Sequence, residues 1–302
     1  MRRTMGIIAA AIDLCSIACD SPSPGDPSGG DDSGFEVLVS ADWDVEAGNE
    51  QNYCLKKTFD HDVTIGSFEA LAPPGTHHTI ASVGDPDGAD GGPDGLATCG
   101  SYEHHFESML YESNTTKDRF DFPDGFAALI PAGQQLNLNF HILNATDHTL
   151  RGTTGLRIKR VAPEMVENYA TTIFMGKVSL SVPPGESTHM GSCALPDDLS
   201  IIAVQPHMHS HATHQKVLAR SSLMGDTVIL DDSFDFDSSM HFRSVDPEVP
   251  MKRNDPVEVY CSYDNNTGAI LPWGQGAWDA EMCFAMVYVY PAERVLSSAC
   301  AN

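Results

Sequence analysis

Four of the chain's thirteen histidines fall within nine residues, PHMHSHATH at 206–214. On a strand, residues two apart share a face, so His207 and His209 can converge on one ion while Met208 points the other way, into the fold. His211 would extend that face and His214 would not, but 210–214 has the composition of a strand end running into a turn. Two more groups offer imidazole: His77 and His78 in PPGTHHTIASVG, and His141 in LNLNFHILNATDH. Adjacent residues face opposite sides of a regular strand, so His77 and His78 can share a metal only at a bend or strand start, which the preceding Pro73, Pro74 and Gly75 permit. Met282, in DAEMCFAMVYVY, adds a thioether. Imidazole with thioether selects copper over magnesium or calcium, and the softer Cu(I) state accepts the sulfur. Two histidines with one methionine therefore describe a redox-cycling copper rather than a structural zinc. Each group also has an ordinary reading: a hydrogen-bonded core histidine for His141, a gap-filling core side chain for Met282, and solvated loop residues for His104 and His105.

The elements that must carry these residues are short alternating or apolar runs between turn residues. Among them are FEVLVS, VTIGSFEAL, FAALI, QLNLNFHIL, GLRIKRV, KVSLSV, LSIIAVQPHMH, VEVYCSYD and CFAMVYVY. No segment keeps a helical period long enough to outvote them, and only 163–169 has the pattern of a short helix. The reading is all-β: two tandem antiparallel β-sandwich domains, at 35–168 and 169–302.

The chain has 302 residues, 41% of them apolar, enough for packed cores. Its formal charge of -25, with only 17 Lys and Arg, argues against nucleic acid or an anionic membrane surface as partner. Residues 1–19 read as an export signal, with Arg2 and Arg3 before an apolar stretch and Ser16-Ile17-Ala18 before Cys19. This resembles a bacterial lipoprotein signal with Cys19 as the acylated residue, and membrane attachment is expected only through that anchor; Asp13 and Ser16 depart from the usual pattern. Ordinary secretion is the alternative. Residues 20–34, built from Ser, Pro, Gly and Asp, cannot bury apolar surface and read as a disordered tether. Beyond Cys15 and Cys19 of the signal, Cys54, Cys99, Cys193, Cys261, Cys283 and Cys300 form an even set, fit for three disulfides in an exported chain. Spacing alone leaves the pairing open.

Taken together, the motifs resemble the copper type II, ascorbate-dependent monooxygenases, the family of peptidylglycine α-hydroxylating monooxygenase and dopamine β-monooxygenase. NYCLKKTFDHDVTIGSFEALAPPGTHHTIASVG is similar to the family's first cysteine strand and His-His motif, and LNLNFHILNATD to its third-histidine strand. SVPPGESTHMGSC is similar to the start of the second domain, AVQPHMHSH to the His-x-His motif, and VYCSYDNNTG with DAEMCFAMVYVYP to the closing cysteine and Met-Cys strands. The resemblance covers about residues 52–291, with 85–120 poorly matched.

The resemblance implies jelly-roll-like sandwiches with a copper site in each, the sites facing across a cleft, and that His77, His78 and His141 hold the first, electron-supplying copper. It implies that His207, His209 and Met282 hold a second, catalytic copper where dioxygen and substrate meet, with ascorbate as reductant. It also implies the pairings Cys261–Cys283 and Cys193–Cys300, which leaves Cys54 and Cys99 for each other. His211 and His214 match no ligand. Where the peptide enzyme carries an arginine before its His-x-His motif and a tyrosine after Met-Cys, this chain has Gln205 and Met286. A C-terminal glycine peptide therefore does not fit, and a small neutral substrate is expected. The competing reading is a non-catalytic copper-binding lipoprotein. A third makes the same histidines ordinary residues of a carbohydrate-binding or adhesive module.

Overall fold

Alternation decides which face each strand shows, and the strand Cys283–Tyr290 shows two apolar faces. Ala285, Val287 and Val289 point into one core and Met286 and Tyr288 into another, so this strand is buried on both sides. The architecture follows from that double burial. The computed structural model describes residues 34–100, 108–114, 118–236, 238–274, 276–295 and 299–301. The export signal with Cys19, nearly all of the tether, and His104 and His105 lie outside the described residues.

The protein is all-β. The first sheet runs in the order Glu36–Val45, Leu150–Arg160, Val63–Leu71, Phe126–Ile130 and Asn168–Tyr169, with Arg119–Asp121 also pairing on Val63–Leu71. The second runs Gly95–Thr98, Glu50–Thr58, Gln135–Leu143, Thr76–Gly84 and Ser108–Asn114. In the C-terminal half the third sheet runs Arg243–Met251, Leu199–His207, Cys283–Tyr290, Thr171–Lys177 and Ala299–Ala301. The fourth runs Gly185–Ala194, Pro256–Asn265, Ala212–Ser221 and Gly225–Ser233, and Ser181–Val182 pairs with Leu271–Pro272 as a small ribbon. Pairing is antiparallel except where Asn168–Tyr169 meets Phe126–Ile130 and where Ala299–Ala301 meets Thr171–Lys177. The segment 163–169 makes a 3-10 turn, Pro163–Met165, rather than a longer helix.

Among the described residues every sheet draws its strands either from 36–169 or from 171–301. The halves nevertheless share apolar contacts. Ile202, Ala203, Phe242, Met286 and Tyr288 join the N-terminal core, and the Tyr288 ring stacks on Phe120 at 4.9 Å. The Tyr288 hydroxyl donates to the Leu110 carbonyl, and Thr172 Oγ1 donates to the Met109 carbonyl. Burying a side chain of this size contributes about 1.5–3 kcal/mol, so the seam resists separation. A bulge between Ile201 and Ala203 makes the double facing work: Ile201 turns to the C-terminal core and Ile202 with Ala203 to the other.

Three disulfides, Cys54–Cys99, Cys193–Cys300 and Cys261–Cys283, staple the sandwiches, the last joining the third and fourth sheets beside Met282. They suit an oxidising compartment.

One buried carboxyl makes stability depend on pH. The Asp118 carbonyl accepts the Ala70 N–H at 3.0 Å and the Tyr111 hydroxyl at 2.6 Å, which fixes the residue at the inner side of the Arg119–Asp121 strand. Its Oδ2 is buried without a partner among the described residues. Burial pushes this carboxyl up to about 7, against the Arg119 N–H that favours the ionised form. Between its ordinary range and about pH 7 the unfolded chain has released the proton and the folded chain has kept it, so stability falls as pH rises through that window. Asp118→Asn removes the loss. The expected result is a melting-temperature advantage of several degrees at pH 8 relative to wild type, shrinking toward pH 4. A difference that stays constant over that range would mean that Asp118 is solvated.

Candidate metal centres

The His77–His78 problem is solved by a β-bulge. In the pairing of Thr76–Gly84 with Gln135–Leu143, Thr76 lies opposite Ile142 and His78 opposite His141, so His77 is the extra residue. An extra residue turns two neighbours toward one side of the partner strand. Gly75, at φ 95°, starts the bend, and a Cβ there would lie 2.5 Å from the Leu150 side chain. The three rings form a near-equilateral triangle: centroids are 5.4 Å apart for His77–His78 and 5.5 Å for each of the pairs with His141. One nitrogen from each lies within 4.8 Å of the others. His141 Nε2 contacts Glu50 Oε2 at 3.2 Å, and burial holds its pKa below the usual imidazole range despite that carboxylate. A neutral ring keeps a lone pair for a metal.

The second group rests on the central strands of the third sheet. His207 lies opposite Phe284, and continuing this antiparallel register by two residues brings His209 level with Met282. His207, His209 and Met282 are only 7%, 6% and 2% exposed, and the two imidazole centroids are 6.1 Å apart. Met208 points to the C-terminal core. His209 Nδ1 lies 3.2 Å from the Ala280 carbonyl, which can only accept, so Nδ1 carries the proton and Nε2 the lone pair. Burial, with the neighbouring His207 and His77, pushes His209 down to about 4. His207 Nδ1 lies 3.1 Å from Glu112 Oε1, an ion-pair contact short of hydrogen-bond alignment, and neither ring nitrogen has a hydrogen-bond partner among the described residues. Burial pushes the His207 pKa down, but Glu112 and Glu281 outweigh it and the net shift is upward.

Residues 168–302 match the family model for the copper type II ascorbate-dependent monooxygenase, C-terminal domain. The C-terminal half of the chain matches this family's C-terminal domain. No curated protein matches it. The subviral particle of infectious bursal disease virus VP2 is similar at 10% identity and a TM-score of 0.18, over 86% of this chain and 74% of that one. A score that low carries no argument.

The matched family is copper-dependent, and the donor set here fits that metal. Imidazole and thioether are the ligands copper takes, and neither ring nitrogen of the buried His207 has a hydrogen-bond partner among the described residues. A carboxylate that sequence reasoning missed holds this set in place. Glu281 is fully buried; its Oε2 accepts the His209 N–H at 3.0 Å and its Oε1 the His211 N–H at 2.8 Å. Its backbone N–H donates to the Pro272 carbonyl, and the Tyr263 hydroxyl donates to the Met282 carbonyl at 2.7 Å. Glu281 thus ties the Met282 segment to the His-x-His turn. The available signal was its position, a glutamate directly before a buried methionine. Glu112 was also missed, and lies in the poorly matched stretch, where no motif marks it.

His211 and His214 stand apart from both groups. His211 Nε2 lies 3.1 Å from the Trp278 carbonyl, and His214 Nε2 pairs with Asp231 at 3.0 Å. Phe236 touches both groups: its ring is 5.5 Å from His77 and 6.4 Å from His209. It also meets Trp278 at 6.1 Å. Gln205 and Met286 face each other across paired strands and are fully buried, and the Gln205 amide has no hydrogen-bond partner among the described residues.

Proposed function

We propose that this chain is a copper-dependent monooxygenase that uses an ascorbate-type reductant and dioxygen to hydroxylate a C–H bond of a small substrate. His77, His78 and His141 hold an electron-supplying copper in the N-terminal sandwich, 35–168. His207, His209 and Met282 hold the catalytic copper in the C-terminal sandwich, 169–302. Bound copper supplies one-electron redox chemistry and the activation of dioxygen. The chain's own residues do the positioning. The bulge at His77 aims two adjacent rings at His141, Ala280 holds the Nδ1 proton of His209, and Glu281 keeps the His-x-His turn beside Met282. Phe236 lies against one histidine of each group.

The observation that carries the reading is the approach of two separate donor groups, one from each half, to a single phenylalanine ring. A structural metal needs one group, whereas electron supply to a distant reaction centre needs two. The substrate is small and neutral: Gln205 and Met286 put no charge where the peptide enzyme binds a carboxylate. The burial of that pair also favours the second reading, a copper-binding lipoprotein without oxygenase activity. In either case the protein is exported, carrying an acyl anchor on Cys19.

Metal content and coupling test this together. After loading and removal of loose metal, two coppers per chain are expected, falling to one in the His207→Ala/His209→Ala double variant. Ascorbate oxidation should rise with a suitable substrate and match hydroxylated product. One copper or none in the wild type would sink the two-site reading. Two coppers with ascorbate oxidation that no substrate couples to product would favour the binding protein.

A further inference from the structure

The Ser108–Asn114 strand is the outer strand of the second sheet, yet it does not end the packing. Tyr111 turns inward and stacks on Phe68 at 5.2 Å. On the same strand, the carbonyls of Met109 and Leu110 receive hydroxyls from Thr172 and Tyr288, both on strands of the third sheet. This docked strand carries Glu112, 2% exposed, into the C-terminal half. Its Oε1 lies 3.1 Å from His207 Nδ1, and its Oε2 has no hydrogen-bond partner among the described residues. No Lys or Arg forms an ion pair with Glu112 among the described residues. A buried carboxylate costs several kcal/mol unless it is paired or hydrogen-bonded, so the imidazole is the group that compensates it.

A carboxylate accepts and cannot donate, so a hydrogen bond closed across this 3.1 Å approach places the proton on His207 Nδ1. That leaves Nε2, also without a hydrogen-bond partner among the described residues, as the ring's lone pair. Carboxylate–histidine pairs of this kind fix the tautomer and orientation of a metal-binding ring and raise its basicity. The carboxylate here comes from the other sandwich, out of a stretch that the family's motifs leave unmatched.

We infer that Glu112 is a positioning residue for the second metal centre, holding His207 as the Nδ1–H tautomer so that Nε2 faces the metal. The centre is therefore completed across the interface, and its affinity depends on the docking of the N-terminal half. The inference rests on the reading of His207 as a ligand, but the orientation of the ring can be measured without metal.

The test uses the full chain labelled with 15N-histidine and long-range 1H–15N NMR of the metal-free protein, at a pH where the ring is neutral. A His207→Gln spectrum assigns the signal. The expected result is the Nδ1–H tautomer; an Nε2–H tautomer for His207 in the wild type overturns the proposal. Cu(I) competition with a chromogenic chelator then compares Glu112→Gln with Glu112→Met. The amide oxygen of Gln still accepts the Nδ1 proton, whereas Met fills similar volume and accepts almost nothing. Second-site affinity should fall about 10–100-fold in the Met variant, be largely retained in the Gln variant, and first-site affinity should not move in either. A space-filling role predicts that Gln and Met behave alike, and that outcome also overturns the proposal. The tautomer needs no variant of Glu112, so it decides even if Glu112→Met fails to fold. If the wild type takes up no second copper, the ligand reading fails, while the tautomer still decides whether Glu112 orients the ring.

Discussion

Met282→Ala is expected to remove hydroxylation, by about 100-fold or more on the scale of losing a group from a metal centre, while the chain stays folded and the first copper stays bound. The side chain is 2% exposed, so truncation leaves a cavity and costs about 2–5 kcal/mol by analogy with other buried methionines. That cost is bearable because the backbone around it is held independently. Cys283, the next residue, is bonded to Cys261, the Tyr263 hydroxyl holds the Met282 carbonyl, and Glu281 is locked to two amides of the facing turn. His207 and His209 therefore keep their positions and still bind copper, but without the thioether that favours the reduced state. The readouts are copper per chain, thermal midpoint and product per ascorbate consumed. Normal product formation by a folded Met282→Ala variant would remove Met282 from the centre. Loss of the second copper altogether would mean that the two imidazoles cannot hold it alone.

The strands were legible because alternation is a local property, and so was the His207–Met208–His209 division, with one residue turned to the core and its neighbours away. Sequence also stated the condition for His77 and His78, a bend after Pro-Pro-Gly. It could not show that the bend is a bulge placed opposite His141, since a bulge belongs to a pair of strands rather than to one. The same reason hid Glu112. Its partner is 95 positions away, on another sheet of the other half, and no periodicity relates them. Phe236 was invisible for a similar reason: in the segment DDSFDFDSS it reads as an apolar residue of an acidic loop, and only the docking of the halves puts it against both His77 and His209. The family motifs pointed to the candidate donors. The groups that orient and adjoin those donors come from contacts between segments, which motifs do not record.

His141→Ala is expected to uncouple the two centres. Its ring is one corner of the three-histidine triangle and comes from the strand that the bulge faces, so removing it leaves His77 and His78 without the third donor. First-site copper should be lost or bound at least about 10-fold more weakly. The second centre keeps its groups, because its ligands and Glu281 lie on the third sheet and its adjoining turns and Glu112 lies on a strand that does not pair with the His141 strand. The variant should therefore still take up one copper and accept an electron from ascorbate there. What it lacks is the second electron stored at the first centre when substrate is oxidised. In rapid mixing of the reduced protein with dioxygen and substrate, reoxidation should fall to one electron per chain and product should drop by an order of magnitude or more. Unchanged two-electron reoxidation would show that His141 is not part of electron supply. Set beside Met282→Ala, the contrast assigns the roles: one variant keeps stored electrons it cannot use on substrate, and the other keeps the reaction centre but loses its supply.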